Sequence, residues 1–267
     1  MIAKADDQPT QQHWRLAPIP ALRSALAVLG AVVLALYLAG CRGSSGGQGP
    51  TASSHPAVPS YRVTATVPLG KSAGWLAVDP GTHAVYVTHV KGNAVSVIDA
   101  STHTVTATVP VGTNPYGVAV DPGTHTVYVV NDPDEVSVID GSTRTVIAAP
   151  RVGFDPIGVA VDPDTHTVYV TSRDNNVAVI DGSTRTVAAT VPVGKDPFGV
   201  AVDPGTHSVY VTNSDDSTVS VIDGPARTVA ATVPVGNGPG PVAADPGTHS
   251  VYVAVSGDNS VSVIQSR

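Results

Sequence analysis

Five histidines recur in nearly identical surroundings: His83 in DPGTHAVYV, His125 in DPGTHTVYV, His166 in DPDTHTVYV, and His207 and His249 each in DPGTHSVYV. Imidazoles repeated in this way are the raw material of a metal centre. Zinc, however, needs its ligand atoms about 2.1 Å from one point, and equivalent positions on neighbouring sheets lie on the order of 10 Å apart. The five therefore cannot share an ion unless all point to one axis, and they read as turn residues beside Asp-Pro corners. Asp99, Asp140, Asp181 and Asp223 recur in the same manner, with glycine next in the last three. A carboxylate there can accept bonds from the N–H groups of its own turn. Arg144, Arg185 and Arg227 share those loops and are expected to pair with these acids.

The elements that carry these residues follow from the period. The Asp-Pro pairs begin at 79, 121, 162, 203 and 245, spacings of 42, 41, 41 and 42 residues. Within one unit, GVAVD (117–121), TVYVVN, EVSVID and TRTVIAAP alternate or run apolar, and DPGTH, NDPDE and DGS between them supply turn chemistry. A period near 40 with four short strands and no helical pattern is that of a propeller blade. The last unit stops at VSVIQSR (261–267) without a fourth strand, while YRVTATVPLG (61–70) matches the fourth-strand sequence HTVTATVPVG (103–112). The expectation is an all-β, five-bladed β-propeller of four-stranded antiparallel blades, closed by an N-terminal strand that completes the last blade and hides its edge. Gly117, Ala119, Gly158, Ala160, Gly199 and Ala201 fall on the innermost strands, where space is least.

The segments VYVTN (209–213) and VTNSDDSTVSVIDGPARTVAATVPVG (211–236) resemble the YVTN family of β-propeller repeat proteins, and the likeness extends over residues 61–267. It implies a propeller of a kind common on prokaryotic cell surfaces. Propellers related to this family include lactonases and quinoprotein dehydrogenases. Family members often have seven blades, and this sequence departs from that number.

Ahead of the repeats, Lys4, Arg15 and Arg23 precede the uncharged apolar run ALAVLGAVVLALYL (25–38), the pattern of an export signal. The run is shorter than the roughly 20 residues a membrane-crossing helix needs. Leu38-Ala39-Gly40-Cys41 resembles the bacterial lipobox, in which the cysteine is alkylated by diacylglycerol and the signal is cut off before it. Cys41 is the one cysteine of the chain. A lone thiol can also be a nucleophile or a disulfide partner, but this one lies at the end of an export signal, and lipidation is the expectation. Residues 1–40 are then a lipoprotein signal peptide, 41–60 a flexible Gly/Ser/Pro tether, and 61–267 the propeller. Gly43-Ser44-Ser45-Gly46-Gly47 matches the G-x-S-x-G hydrolase motif by letters only, since that motif needs a strand before it and a helix after it.

Where the copies differ is where binding is expected. In an antiparallel blade the second-to-third loops and the inter-blade connections share one face. Trp75, Tyr116 and Phe198 fall there, with Asp132, Asp134, Asp174, Asp215 and Asp216, and these are the candidate partner-binding residues. Phe154, Asp155, Asp196 and Asp258 fall there too. An acidic rim with aromatics suits a cationic group, a basic peptide or Ca²⁺, although no loop has the D-x-D-x-D-G spacing of a dedicated calcium site.

His89 interrupts the VTN pattern and is read as loop variation. Only Lys4, Arg15, Arg23, Asp6 and Asp7 precede Cys41, so cleavage takes the net charge from −7 to −8, which argues against nucleic acid. The reading is a non-catalytic, lipid-anchored, extracytoplasmic propeller that binds a protein or envelope component. The alternative is a propeller enzyme of lactonase or quinoprotein dehydrogenase type. No cofactor and no metal are expected, membrane contact is through the lipid on Cys41, and the chain is expected to be a monomer.

Overall fold

The computed structural model describes residues 61–265; the expected signal peptide, the lipidated Cys41 and the tether lie outside them. The first sheet is β1 (Leu76–Asp79), β2 (Ala84–His89), β3 (Ala94–Asp99) and β4 (Thr104–Pro110), in that order and antiparallel throughout. The second is β5 (Val118–Asp121), β6 (Thr126–Asn131), β7 (Glu135–Asp140) and β8 (Thr145–Ala148). The third is β9 (Pro156–Asp162), β10 (Thr167–Ser172), β11 (Asn176–Asp181) and β12 (Thr186–Pro192). The fourth is β13 (Pro197–Asp203), β14 (Ser208–Asn213), β15 (Thr218–Asp223) and β16 (Thr228–Pro234). The fifth has three strands, β17 (Pro239–Asp245), β18 (Ser250–Val255) and β19 (Ser260–Gln265).

The Val-rich middle strands are buried on both faces because each internal sheet is sandwiched between two others. Every residue of β6 is buried, whereas β16, at the outer edge, is almost wholly exposed. The apolar core is accordingly divided into layers between successive sheets. Tyr86, Val95 and Val97 of the first sheet meet Val118, Val127, Val129 and Ile139 of the second, and the pattern repeats at the next three junctions. A bulge recurs where the third strand pairs with the fourth, as between Val97 and Ile98, and adds local twist at the outer edge.

Corners are closed as the residue types dictate. Asp79 Oδ1 accepts the Gly81 N–H at 2.9 Å, and its Oδ2 accepts the Thr82 hydroxyl at 2.7 Å. Asp140 likewise accepts the N–H groups of Ser142 and Thr143, at 2.8 and 2.9 Å. The recurrent arginines do something other than expected. Arg144 donates to the carbonyl of Thr106, one sheet back, and none of Arg144, Arg185 and Arg227 forms an ion pair with those acids among the described residues. The reason is their left-handed φ of 55–59°, which carries the side chain away from the turn it follows.

The five histidines also sit in their turns with left-handed φ, 51–57°, yet the rings of the last four reach into the preceding sheet. His125 Nδ1 meets Asp79, His166 meets Asp121, His207 meets Asp162 and His249 meets Asp203, each at 2.8 Å. The four aspartates are at most 1% exposed. One buried corner carboxylate thus holds its own turn and the next sheet together. Burial would raise the Asp79 carboxyl, but bonds from Thr82, Gly81 and His125 outweigh it and hold the group below its usual value.

A tyrosine from each of the first three sheets, Tyr86, Tyr128 and Tyr169, completes its junction. A Cβ on Gly182 would lie 2.3 Å from the His166 carbonyl and 3.0 Å from the Tyr128 hydroxyl, so only glycine admits both. Burial, and then the Asp121 carboxylate, pushes the Tyr128 hydroxyl up to about 12.

The expected sheets are therefore present, but the expected closing strand is not formed. Residues 61–70 pair with no strand among the described residues, and Tyr61 and Val63 are 89% and 85% exposed. Four junctions of one repeated geometry do not bring the fifth sheet onto the first, so the segment that resembles a fourth strand meets no β19 to pair with. On the first sheet Leu76 is 65% exposed, and on the fifth Tyr252 is 44% exposed.

Candidate binding face

The loop face is built at the ends of the inner strands. In the second, third and fourth sheets the residue five places before the corner aspartate is Tyr116, Ile157 and Phe198, which form a row at the inner rim. A threonine hydroxyl sets their spacing. Thr171 Oγ1 accepts the Gly158 N–H at 2.9 Å and donates to the Phe198 carbonyl of the next sheet, also at 2.9 Å. Thr88 donates to the Tyr116 carbonyl at 3.1 Å, and Thr212 to the Gly240 carbonyl at 2.8 Å. Val130 holds this position in the second sheet and has no hydroxyl to offer.

Close approach of the inner strands explains the glycines expected there: a Cβ on Gly158 would stand 2.6 Å from the Phe198 carbonyl. Trp75 occupies that glycine register in the first sheet, one place after the Tyr116 register. Its backbone accepts Thr88 Oγ1 at 3.3 Å beside Tyr116, while its side chain is 44% exposed. Trp75 and Tyr116 are thus brought together. Phe198 stands two sheets further along, with Ile157 between.

In the fifth sheet the row reaches Gly240, and there the surface opens. A cleft of about 530 Å³ lies between the fourth and fifth sheets, lined by Phe198, Ser214, Pro239, Gly240, Pro241 and Ala254 among others. Two small residues make it, Gly240 where the second, third and fourth sheets have a large side chain and Ala254 where the other strands have Thr or Val. The spacing pattern already contained this signal in the departure of NGPGP (237–241) from the other connections.

The acids at this face are largely occupied by the loops themselves. Asp174 accepts the Phe154 N–H at 3.3 Å and Asp216 the Lys195 N–H at 2.8 Å. Asp132 accepts from the Asn114 amide at 3.3 Å, and Asp134 pairs with Arg151. Arg173 lies between Asp155 and Asp196, at 3.3 and 3.5 Å. Of the five candidate aspartates, Asp215 alone has a carboxylate without a partner among the described residues. The face is a mixed, internally paired charge surface around an apolar row. Sequence reading missed the pairing role of Arg151 and Arg173.

His89 belongs to neither the rim nor a loop. It ends β2, is 1% exposed, and its Nε2 lies 2.7 Å from Ser96 Oγ. Asn131 and Asn213 make the same contact to Ser137 and Ser220, so His89 is a buried stand-in for the asparagine of the VTN pattern. On the opposite face, Asp164 replaces a turn glycine and brings a third ligand-type group to Asp162 and His207, all within 4.8 Å. The Asp162–His207 bond is the junction bond of the other copies, and Asp164 adds a carboxylate to it.

A model of the YNCE-like beta-propeller matches residues 50–267. The chain belongs to that family. The match agrees with the repeat pattern and the five antiparallel sheets, and with the resemblance to YVTN-type propellers. Among solved structures, a functionally unknown protein from Desulfotomaculum acetoxidans DSM 771 superposes with a TM-score of 0.64 at 16% identity, over 74% of this chain and 70% of its own. The hydrazine synthase of Kuenenia stuttgartiensis matches at a TM-score of 0.44 and 17% identity, over 72% of this chain and 94% of its own, too loosely to support a comparison of function. No curated protein matches the sequence. These likenesses concern the YNCE-like fold, which hosts binding modules and enzymes alike.

Proposed function

We propose that this YNCE-like propeller is a non-catalytic binding module, held outside the cytoplasm by a lipid on Cys41, that captures a protein or envelope component on its loop face. The observation that carries the reading is the row of Tyr116, Ile157 and Phe198 leading into the cleft beside Gly240 and Ala254. Concave apolar surface with a few polar backbone groups is what ligand sites are made of, and exposed aromatics are the usual anchors of an interface. With most rim carboxylates engaged inside the loops, apolar contact supplies the affinity and charge supplies orientation. The alternation of acids with Arg151, Arg173 and Lys195 suits a partner with mixed charge rather than a purely cationic one.

The test places a photo-crosslinking amino acid at Phe198 or Tyr116 in the full chain on intact cells, with Thr102 on the opposite face as control. A specific adduct is expected from the first two positions. Equal yield from Thr102, or no adduct from any position, would remove this face as the binding surface.

A further inference from the structure

We propose that the chain assembles head to tail, the fifth sheet of one copy packing onto the first sheet of a second copy. The outer face of the fifth sheet and the exposed Leu76 and Val78 on the inner strand of the first are the halves of the junction already made four times within the chain. Val95, Val136, Val177 and Val219 each face the following sheet and are 0% exposed; their counterpart Val261 is 60% exposed, with Val263 at 54%. Tyr252 corresponds to Tyr86, Tyr128, Tyr169 and Tyr210, none more than 6% exposed. Leu76 and Val78 of the first sheet correspond to Val118 and Val120, which are packed against the sheet before them.

The polar halves match as well. Asp245 accepts the Gly247 N–H and the Thr248 hydroxyl, at 2.9 and 2.8 Å, as Asp79, Asp121 and Asp203 accept theirs, but no histidine ring bonds to it among the described residues. His83, with the same left-handed φ as its counterparts, meets no aspartate among the described residues. What covers a face like that of the fifth sheet, at every other junction, is an inner strand carrying branched apolar residues followed by a histidine. The first sheet of a second copy offers this. The contact is heterologous, so it builds a two-chain ring or a longer array, in place of the monomer expected from sequence. One feature loosens it: Ala100 stands where Gly141, Gly182 and Gly224 receive a tyrosine hydroxyl, and a Cβ on Gly141 would lie 2.9 Å from the Tyr86 oxygen. Tyr252 must tilt to pass that methyl.

Light scattering of the full chain carrying Cys41→Ser is expected to give a concentration-dependent species of two or more chains. Asp245→Asn keeps the turn acceptor and loses the carboxylate, and should weaken assembly at least tenfold; Ala100→Gly should tighten it. A short bis-maleimide should link Gly247→Cys in one chain to His83→Cys in another, because a Cβ on the corresponding Gly205 lies 2.9 Å from His249. Single-chain mass at all concentrations would overturn the proposal. So would cross-linking confined within one chain of the double variant, which would mean that the ring closes on itself.

Discussion

His166 Nδ1 stands 2.8 Å from Asp121 Oδ2, although the two residues are 45 positions apart and lie in different sheets. The same carboxyl accepts the Gly123 N–H and the Thr124 hydroxyl. Asp121→Ala strips three donors of their acceptor in a buried site and should destabilise the fold by on the order of 3 kcal/mol or more. Asp121→Asn keeps the turn and should cost about half as much. Urea midpoints of the two variants give the comparison; near-neutral Asp121→Ala would refute the junction role.

The left-handed backbone at His166, with φ of 54°, separates two effects at one position. His166→Gly loses the bond and relieves the φ, whereas His166→Ala loses the bond and keeps an unfavourable conformation worth about 1 kcal/mol. Alanine should therefore be the less stable of the two by thermal melting, the reverse of their order in regular structure.

Thr171→Val leaves the Gly158 N–H and the Phe198 carbonyl without their shared hydroxyl, and should cost about 1–3 kcal/mol. Val130→Thr supplies that hydroxyl to the one internal junction lacking it. The variant should fall within about 1 kcal/mol of neutral, although burying an unpaired hydroxyl ordinarily costs about 1–3 kcal/mol. A measured loss as large as that of Thr171→Val would show that no carbonyl waits there.

Acid should unfold the propeller through its corners. Bonds from the Ser101 hydroxyl and the Thr102 and Ser101 N–H groups bring Asp99 down to about 2, and Asp140, Asp181 and Asp245 are lowered in the same way. The folded value lies below the unfolded one, so the folded state binds fewer protons. The stabilisation is complete above about pH 4 and is lost as pH falls toward 2. Urea titrations between pH 5 and 2 should show this decline, and Asp99→Asn should flatten part of it.

How far the letters reach depends on whether a contact lies inside one repeat. The Asp99 and Asp140 turns were legible because acceptor and donors are two or three residues apart. The His166–Asp121 bond was not, since every copy contains both partners and the sequence does not say that the ring passes over its own aspartate to the previous one. His89 breaks VTN and so reads as loop variation, while its bond to Ser96 across the sheet makes it a buried strand residue. The rim acids were visible as charge, but their engagement by the Phe154 and Lys195 N–H groups depends on loop conformation. Likewise, the match of residues 61–70 to fourth strands told the kind of strand, and not whether a partner sheet arrives.

The coupling of each sheet to its predecessor also bears on how such a chain is lengthened. A duplicated 41-residue unit placed between two sheets carries an aspartate for the sheet after it and a histidine for the sheet before it. Inserting or deleting one whole unit leaves every remaining coupling complete, so the number of blades is free to drift by recombination while the surface between them stays the same.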